Sequence, residues 1–260
     1  WPVRSLGRTI SEMSKAGVSI DRIQYIMDSP EEHDKPDACT PPLNRDIRFE
    51  HVSFGYDGEH KVLEDVNATI PAGSTFAILG STGSGKSTLM HLLNRLYDLP
   101  PENGRITIGG VDIADMKADW VRENVGMVLQ EPFLFSRTIG ENIGIASREL
   151  TMTEMREAAH IACIDETIDS LTKGYDTIVG ERGVTLSGGQ KQRAAIARTL
   201  TRKTPILVFD DSLSAVDAQT DVLIRTRLRE RMKDSTVILI SHRITTLMEA
   251  DQIMVMDKGR

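Results

Sequence analysis

A glycine-rich segment from Gly80 to Ser87 is the part of the chain most suited to chemistry. It reads Gly-Ser-Thr-Gly-Ser-Gly-Lys-Ser, so two glycines enclose four residues and a lysine and a serine follow. An apolar stretch precedes the segment and an amphipathic pattern follows it, which predicts a strand, a loop and a helix. Such a loop presents backbone N–H groups and a helix N-terminus to anions, so it predicts binding of a nucleoside triphosphate. The candidate phosphate-binding residues are Gly80, Ser81, Thr82, Gly83, Ser84, Gly85, Lys86, Ser87 and Thr88.

Two consecutive carboxylates end a predicted strand further along the chain. The apolar run Ile206 to Phe209 is followed directly by Asp210 and Asp211. A carboxylate at the carboxyl end of a parallel strand suits Mg²⁺ binding, so Asp210 is a candidate metal ligand together with Ser87. Asp211 is then placed to orient the attacking water. The alternative interpretation is a turn that merely ends the strand.

A second glycine-containing segment begins another predicted helix, over residues 190–200. Leu186 is followed by Ser187, Gly188, Gly189 and Gln190, and such residues at a helix N-terminus form an anion site. Because the loop at Gly80 already holds the chain's own phosphates, we expect this second site to contact a nucleotide held by another chain. The alternative is a capped helix after a Gly-Gly turn.

With these segments the chain resembles the ATP-binding cassette (ABC) family, over about Ile47 to Arg260. In that family two nucleotide-binding domains stack head to tail, and each signature loop covers the nucleotide of its partner. The resemblance implies ATP and Mg²⁺ as the bound groups. It also implies roles for five further residues, namely Tyr56 stacking on adenine, Val62 touching the same base, Gln130 reaching Mg²⁺ and the attacking water, Asp217 at the dimer interface and His242 at the γ-phosphate.

One residue departs from the family pattern. The second acidic residue after the strand is usually glutamate, whereas this chain has Asp211. The shorter side chain withdraws the carboxylate by about 1 Å, and a misplacement of that size can cost about a hundredfold in rate. This resembles the degenerate subunit of a heterodimeric exporter, whose partner is a different chain. Two alternatives stay open: a homodimer in which Asp211 works with the help of His242, and a regulatory clamp that binds ATP without hydrolysing it.

Two segments resemble those of exporters within the family. They are Phe133-Leu134-Phe135-Ser136 and Gly180-Glu181-Arg182-Gly183. The resemblance further implies that residues 1–27 are the end of a last transmembrane helix and its linking helix. A membrane domain in the same polypeptide and a location at the cytoplasmic face of the cell membrane follow from it.

The expected fold class is α/β, a P-loop core with an antiparallel β subdomain and a helical subdomain at about 131–203. Residues 1–27 predict a bent helix interrupted at Gly17, and residues 28–46, which contain four prolines, predict a linker before the domain at 47–260. The alternation of apolar residues changes parity between Phe49 and Val52, which predicts a β-bulge.

Composition restricts the function classes. Across 260 residues, 31 basic and 38 acidic side chains give a net charge of −7, which disfavours nucleic acid as a partner. Cys39 and Cys163 lie far apart, so neither a disulfide framework nor a zinc site is expected. A soluble ABC protein of DNA repair or translation would need coiled-coil insertions, tandem cassettes or a basic face. A P-loop kinase would need an acceptor-binding lid and would leave Ser187-Gly188-Gly189 unexplained.

Overall fold

The computed structural model describes residues 2–29, 31–58, 60–147, 149–180, 185–212, 214–242, 248 and 250–260. The chain forms two compact units, Trp1–Asp34 and Lys35–Arg260. The strands are β1 (Ile47–Phe54), β2 (Leu63–Ile70), β3 (Thr75–Gly80), β4 (Arg105–Ile108), β5 (Val111–Asp112), β6 (Val125–Val128), β7 (Ile206–Asp210), β8 (Thr236–Ile240) and β9 (Gln252–Met256). The helices are α1 (Pro2–Met27), α2 (Lys86–Leu93), α3 (Ala118–Asn124), α4 (Ile139–Gly144), α5 (Met152–Ile161), α6 (Asp165–Asp169), α7 (Gly188–Leu200) and α8 (Ala218–Arg231).

The first unit contains the single helix α1, which runs through Gly17 without a break. The predicted interruption at this glycine is therefore wrong. Glycine costs about 1 kcal/mol relative to alanine inside a helix, but it keeps its N–H group, so flanking helix-forming residues carry the helix across it. Beyond this glycine the Ser19 hydroxyl donates to the carbonyl of Lys15, one turn earlier in the same helix, at 3.0 Å. Of the helices in the described residues, none combines the length and apolar character needed to cross a bilayer.

The antiparallel sheet of the second unit has the strand order β2-β1-β4-β5. Its inner face buries alternate residues of β1, among them Ile47 and Phe49. The pairing of β1 with β2 shifts register between Phe49 and Val52, and His51 takes a positive φ of 55° there. The predicted bulge is confirmed.

The parallel sheet has the strand order β6-β7-β8-β3-β9. All five residues of β7 are buried, as its apolar run Ile206 to Phe209 predicts for a strand covered on both faces. Strands β3, β6, β7 and β8 run in the same direction, so the residues that follow them emerge at one edge of the sheet. This α/β fold with its parallel sheet and antiparallel β subdomain is the fold class that the sequence predicted.

A group of helices, α4 to α7, packs around its own apolar cluster. That cluster includes Ile143 on α4, Ala159 on α5 and Ile196 on α7, each fully buried. Capping boxes begin three of these helices, with Thr138 and Glu141 at α4, Thr151 and Glu154 at α5, and Ser187 and Gln190 at α7. The helices therefore have independent start signals and a shared core, which fixes the direction of α7.

The predicted linker, residues 28–46, is divided between the two compact units. Part of it packs on the second unit: the indole Nε1 of Trp120 donates to the carbonyl of Pro41 at 2.9 Å. Leu43 is only 2% exposed and belongs to the core beneath the antiparallel sheet. The proline-rich segment is thus anchored at its C-terminal end by burial and by hydrogen bonds.

Candidate functional site

The predicted site residues converge on the carboxyl edge of the parallel sheet. Gly80 ends β3, Asp210 ends β7, and His242 lies two residues after β8. Asp210 pairs with Ile240 of β8, which in turn pairs with Ile78 of β3, so the carboxylate and the loop lie one strand apart. Ligands of open α/β sheets bind at this edge. The sheet therefore brings together three segments that are far apart in sequence.

The predicted phosphate loop is tightly packed from below. A Cβ atom on Gly80 would come within 2.5 Å of the Met256 carbonyl oxygen, and one on Gly85 within 2.6 Å of a Leu63 methyl group. Gly85 also has a φ of 94°, which lets it precede α2 as its N-cap. Ser81, Thr82 and Gly83 are exposed on the rim. The loop is thus fixed at its base and open on the side where an anion would bind.

The Lys86 ammonium lies over this loop and is fully engaged by it. Its Nζ donates to the carbonyls of Gly80 at 2.8 Å and Ser81 at 2.7 Å, and to the Ser84 hydroxyl at 3.2 Å. Burial lowers the pKa of Lys86, whereas the nearby charges of Asp210 and Asp211 act in the opposite direction. An arriving phosphate must therefore take over hydrogen bonds that Lys86 now makes within the loop.

The two carboxylates after β7 occupy different environments. Asp210 is 6% exposed at the strand end. Asp211 has a φ of 43°, a left-handed conformation, and its N–H donates to the carbonyl of Ile240 at 2.8 Å. His242 Nδ1 lies 3.1 Å from Asp211 Oδ2. Non-glycine residues in this conformation cost about 1–3 kcal/mol and concentrate at functional sites. The turn therefore directs the Asp211 carboxylate toward the candidate γ-phosphate histidine.

Tyr56 lies next to the phosphate loop. Its ring contacts Phe54 and Tyr97 edge to face, with centroid distances of 5.3 and 5.0 Å, and it stays 53% exposed. Its hydroxyl is 2.9 Å from the hydroxyl of Thr88. Val62 donates its N–H to the Phe54 carbonyl at 2.7 Å, beside the same aromatic group. The predicted adenine-contacting residues are thus neighbours of the predicted phosphate-binding residues.

The segment from Ser187 to Gln190 forms the first turn of α7. The Ser187 hydroxyl accepts from the N–H of Gln190 at 3.3 Å, and the Gln190 side chain accepts from the N–H of Ser187 at 2.9 Å. A Cβ on Gly189 would lie 2.7 Å from the carbonyl oxygen of Ala215. The segment is therefore both a capped helix start and a close neighbour of the loop that follows β7.

Gln130 follows β6 at the same sheet edge and is exposed. Its carbonyl accepts a hydrogen bond of 3.3 Å from Nε2 of Gln192, a buried residue that the sequence analysis did not single out. Gln192 stands four residues before Ile196 and so on the buried face of α7, which is the signal that could have identified it. Asp217 is the N-cap of α8, and its Oδ1 accepts from the N–H of Thr220 at 3.0 Å. This backbone hydrogen bond from Thr220 lowers the pKa of Asp217.

The two segments that resemble those of exporters lie side by side where the structure describes them. Gly180 has a φ of 97°, and a Cβ there would meet the Ser136 hydroxyl oxygen at 3.0 Å. Val179 donates its N–H to the carbonyl of Arg137 at 2.9 Å. Glu181, Arg182 and Gly183 lie outside the described residues. Phe133, the first residue of one of these segments, is 68% exposed.

The chemistry of the donors fits Mg²⁺. Within the described ranges no three His, Cys, Asp or Glu side chains form a cluster that could hold a metal ion by themselves. Mg²⁺ in nucleotide sites is bound by one or two carboxylates and by substrate phosphates, so such a cluster is not required. The Ser87 hydroxyl at the start of α2 and the Asp210 carboxylate at the end of β7 are oxygen donors of the kind that it prefers.

Comparison with known proteins adds independent findings. The ABC transporter family model matches residues 63–214. The chain is 42% identical over 261 residues to the putative multidrug export ATP-binding/permease protein YgaD of Bacillus subtilis, covering 99% of this chain and 45% of that protein. It is 39% identical over 260 residues to the α-hemolysin translocation ATP-binding protein HlyB of Escherichia coli, covering 100% of this chain and 36% of that protein.

A solved structure of a bacterial Atm1-family ABC exporter with ATP bound matches with a TM-score of 0.87 and 40% identity. The match covers 98% of this chain and 45% of that one. The chain therefore spans less than half the length of these relatives. The phosphate loop and the two carboxylates lie at one edge of the parallel sheet, and the segment Ser187 to Gln190 begins α7. Together with the family match, this arrangement shows that the chain belongs to the ABC transporter family and contains the ATP-binding ATPase domain of that family.

Proposed function

We propose that this chain hydrolyses ATP to drive export by a dimeric ABC exporter, and that its own site is slow because Asp211 stands where glutamate is usual. The observation that supports this most strongly is the convergence of Lys86, Asp210, Asp211 and His242 at the carboxyl edge of the parallel sheet. In this function ATP binds more tightly to the closed dimer than to the open one, and this difference is what moves the joined membrane domain.

Each site residue has a task in the proposed reaction. Lys86 and the N–H groups of the loop bind the phosphates, while Tyr56 stacks on the base. Asp211 orients the attacking water, and His242 holds the Asp211 carboxylate from one side. Ser87, Asp210 and Gln130 would hold Mg²⁺, which when bound would neutralise charge on the phosphates. Ser187 to Gln190 contact the nucleotide of the partner rather than the chain's own.

The surface around Phe133, Phe135 and Ile178 is proposed to face the membrane domain. These side chains are 68%, 42% and 52% exposed, and such a group on a charged domain is typical of an interaction site. Arg198 fixes the loop below them by donating to the carbonyls of Phe133 at 3.0 Å and Asn142 at 2.8 Å.

The second nucleotide-binding domain of the dimer is proposed to be a different chain that supplies a catalytic glutamate.

A second candidate is supported by the 3.1 Å contact between His242 and Asp211. With that contact in place, Asp211 can orient the attacking water in a homodimer, although its side chain is shorter than the usual glutamate. In this case both composite sites would hydrolyse ATP at similar rates.

Steady-state ATPase activity at high protein concentration separates the two candidates. The variants are Asp211→Glu, Asp211→Asn, which has the same shape without the charge, and Lys86→Ala as the inactive blank. For a slow site we expect wild-type turnover close to that of Asp211→Asn and a rise of at least tenfold in Asp211→Glu. Robust wild-type turnover that is lost in Asp211→Asn would contradict the slow site and support the homodimer.

A further inference from the structure

Gln192 is a buried polar residue whose side chain is hydrogen-bonded to two separate loops. It lies on α7 and is 4% exposed. Its Nε2 donates to the Gln130 carbonyl at 3.3 Å and to the Ser214 hydroxyl at 3.2 Å, and its Oε1 accepts from the N–H of Ala215 at 3.0 Å. The amide thus uses both its donors and its acceptor on backbone or hydroxyl groups of segments that are 62 and 22 residues away.

The two loops belong to the chain's own nucleotide site. One follows β6 and contains Gln130. The other follows β7, where the N–H of Ser214 donates to the carbonyl of Asp211 at 3.1 Å. The carbonyl of Asp211, the N–H and hydroxyl of Ser214 and the side chain of Gln192 thus form one connected series of hydrogen bonds.

The start of α7 is attached to the same loop by close packing. A Cβ on Gly189 would meet the Ala215 carbonyl oxygen at 2.7 Å and one on Gly188 the Ala215 methyl at 3.7 Å. The N–H of Ala215 is bonded to Gln192 on the next turn of the helix. Ala215 thus lies against α7 on two sides, with its N–H bonded to Gln192 and its carbonyl oxygen close to Gly189.

We propose that Gln192 is a positioning residue that couples the two nucleotide sites of the dimer. It links the loops at Gln130 and Ser214, which respond to nucleotide in this chain, to the segment Ser187 to Gln190. The inference rests on the proposed function, in which the two loops belong to this chain's nucleotide site and the segment contacts the nucleotide of a partner.

Hydrogen–deuterium exchange of the 260-residue chain tests the coupling without turnover. The chain is kept at a concentration where sedimentation shows a monomer, so that no partner nucleotide protects α7 directly. A non-hydrolysable ATP analogue is added to wild type, Gln192→Met, Gln192→Glu and the exposed control Arg202→Ala. In the wild type and the control we expect the analogue to change exchange both in 129–135 and in 185–192.

In Gln192→Met, which fills the same space without hydrogen bonds, the change should stay confined to 129–135. Gln192→Glu keeps an acceptor for the N–H of Ala215 but loses the donor to Gln130, so the Ala215 amide should stay protected while the response of 185–192 falls at least twofold. Because either substitution at Gln192 can lower stability, each variant is compared with the wild type at temperatures equally far below their unfolding midpoints.

Two results would overturn the proposal. One is a wild-type chain in which the analogue leaves 185–192 unchanged, and the other is a Gln192→Met chain that responds as the wild type does. Since the exchange needs binding and no hydrolysis, its outcome is independent of the turnover comparison at Asp211, where the proposed slow site is judged.

Discussion

The Ser187 hydroxyl has two tasks that substitution can separate. It caps α7 by accepting from the N–H of Gln190, and in the proposed function it faces a partner's phosphate. Asparagine and aspartate are both good N-caps, so the free energies of unfolding of Ser187→Asn and Ser187→Asp should each lie within about 0.5 kcal/mol of the wild-type value. Only aspartate adds a charge opposite the phosphate, so ATP-induced dimerisation should be at least tenfold weaker in Ser187→Asp than in Ser187→Asn.

Sedimentation with and without ATP measures this difference, and thermal unfolding serves as the control for folding. Equal dimerisation of the two variants would show that Ser187 has only a capping task. Sequence reasoning could identify Ser187 because capping and anion binding are both local properties of a helix N-terminus.

At the scale of elements, the approach of α7 to the loop after β7 depends on one of two adjacent glycines. A methyl group on Gly189 would press against the Ala215 carbonyl oxygen, whereas one on Gly188 would make an ordinary contact with the Ala215 side chain. We expect Gly189→Ala to lower the free energy of unfolding by about 1–3 kcal/mol, the usual cost of overpacking. Gly188→Ala should be neutral or slightly stabilising, because alanine is the better helix former.

Urea unfolding of the two variants checks this pair. If both variants unfold alike, α7 and the loop are not in close contact, and the coupling assigned to Gln192 would lose its packing support as well. The sequence shows both glycines but does not distinguish them, because the difference depends on where residue 215 is placed by the fold.

At the scale of the whole molecule, we expect the two parts of the predicted linker, residues 28–34 and 35–46, to differ in their contribution to stability. A fragment of residues 35–260 omits the first compact unit and should keep the unfolding midpoint of the complete chain. A fragment of residues 47–260 also loses buried Leu43 and the Pro41 carbonyl that pairs with Trp120. Losing that burial costs about 2 kcal/mol and losing the hydrogen bond about 1 kcal/mol, so its free energy of unfolding should be about 3 kcal/mol lower.

Chemical unfolding of both fragments measures these differences. Fragments of equal stability would mean that residues 35–46 contribute nothing to the fold of the second unit. The proline content predicted a linker, because proline excludes regular structure, but it carried no signal that Leu43 enters a core formed by strands further along the chain.

The sequence by itself determined the features that depend on neighbouring residues. The phosphate loop, the carboxylates at the end of an apolar strand, the capped start of α7 and the bulge after Phe49 all follow from local backbone geometry and periodicity. The rule that glycine interrupts a helix failed at Gly17, because its helix-forming neighbours in α1 outweigh the small free-energy cost of one glycine.

Only the tertiary structure decided which distant residues meet. Gln192 reaches Gln130 across 62 positions, Arg198 reaches Phe133 across 65, and His242 reaches Asp211 from a different strand. No periodicity connects such pairs, because their distance is set by the strand order β6-β7-β8-β3 and by the direction of α7. Local sequence motifs therefore identify the residues that do the chemistry, whereas the folded sheet sets the distances and the contacts between them.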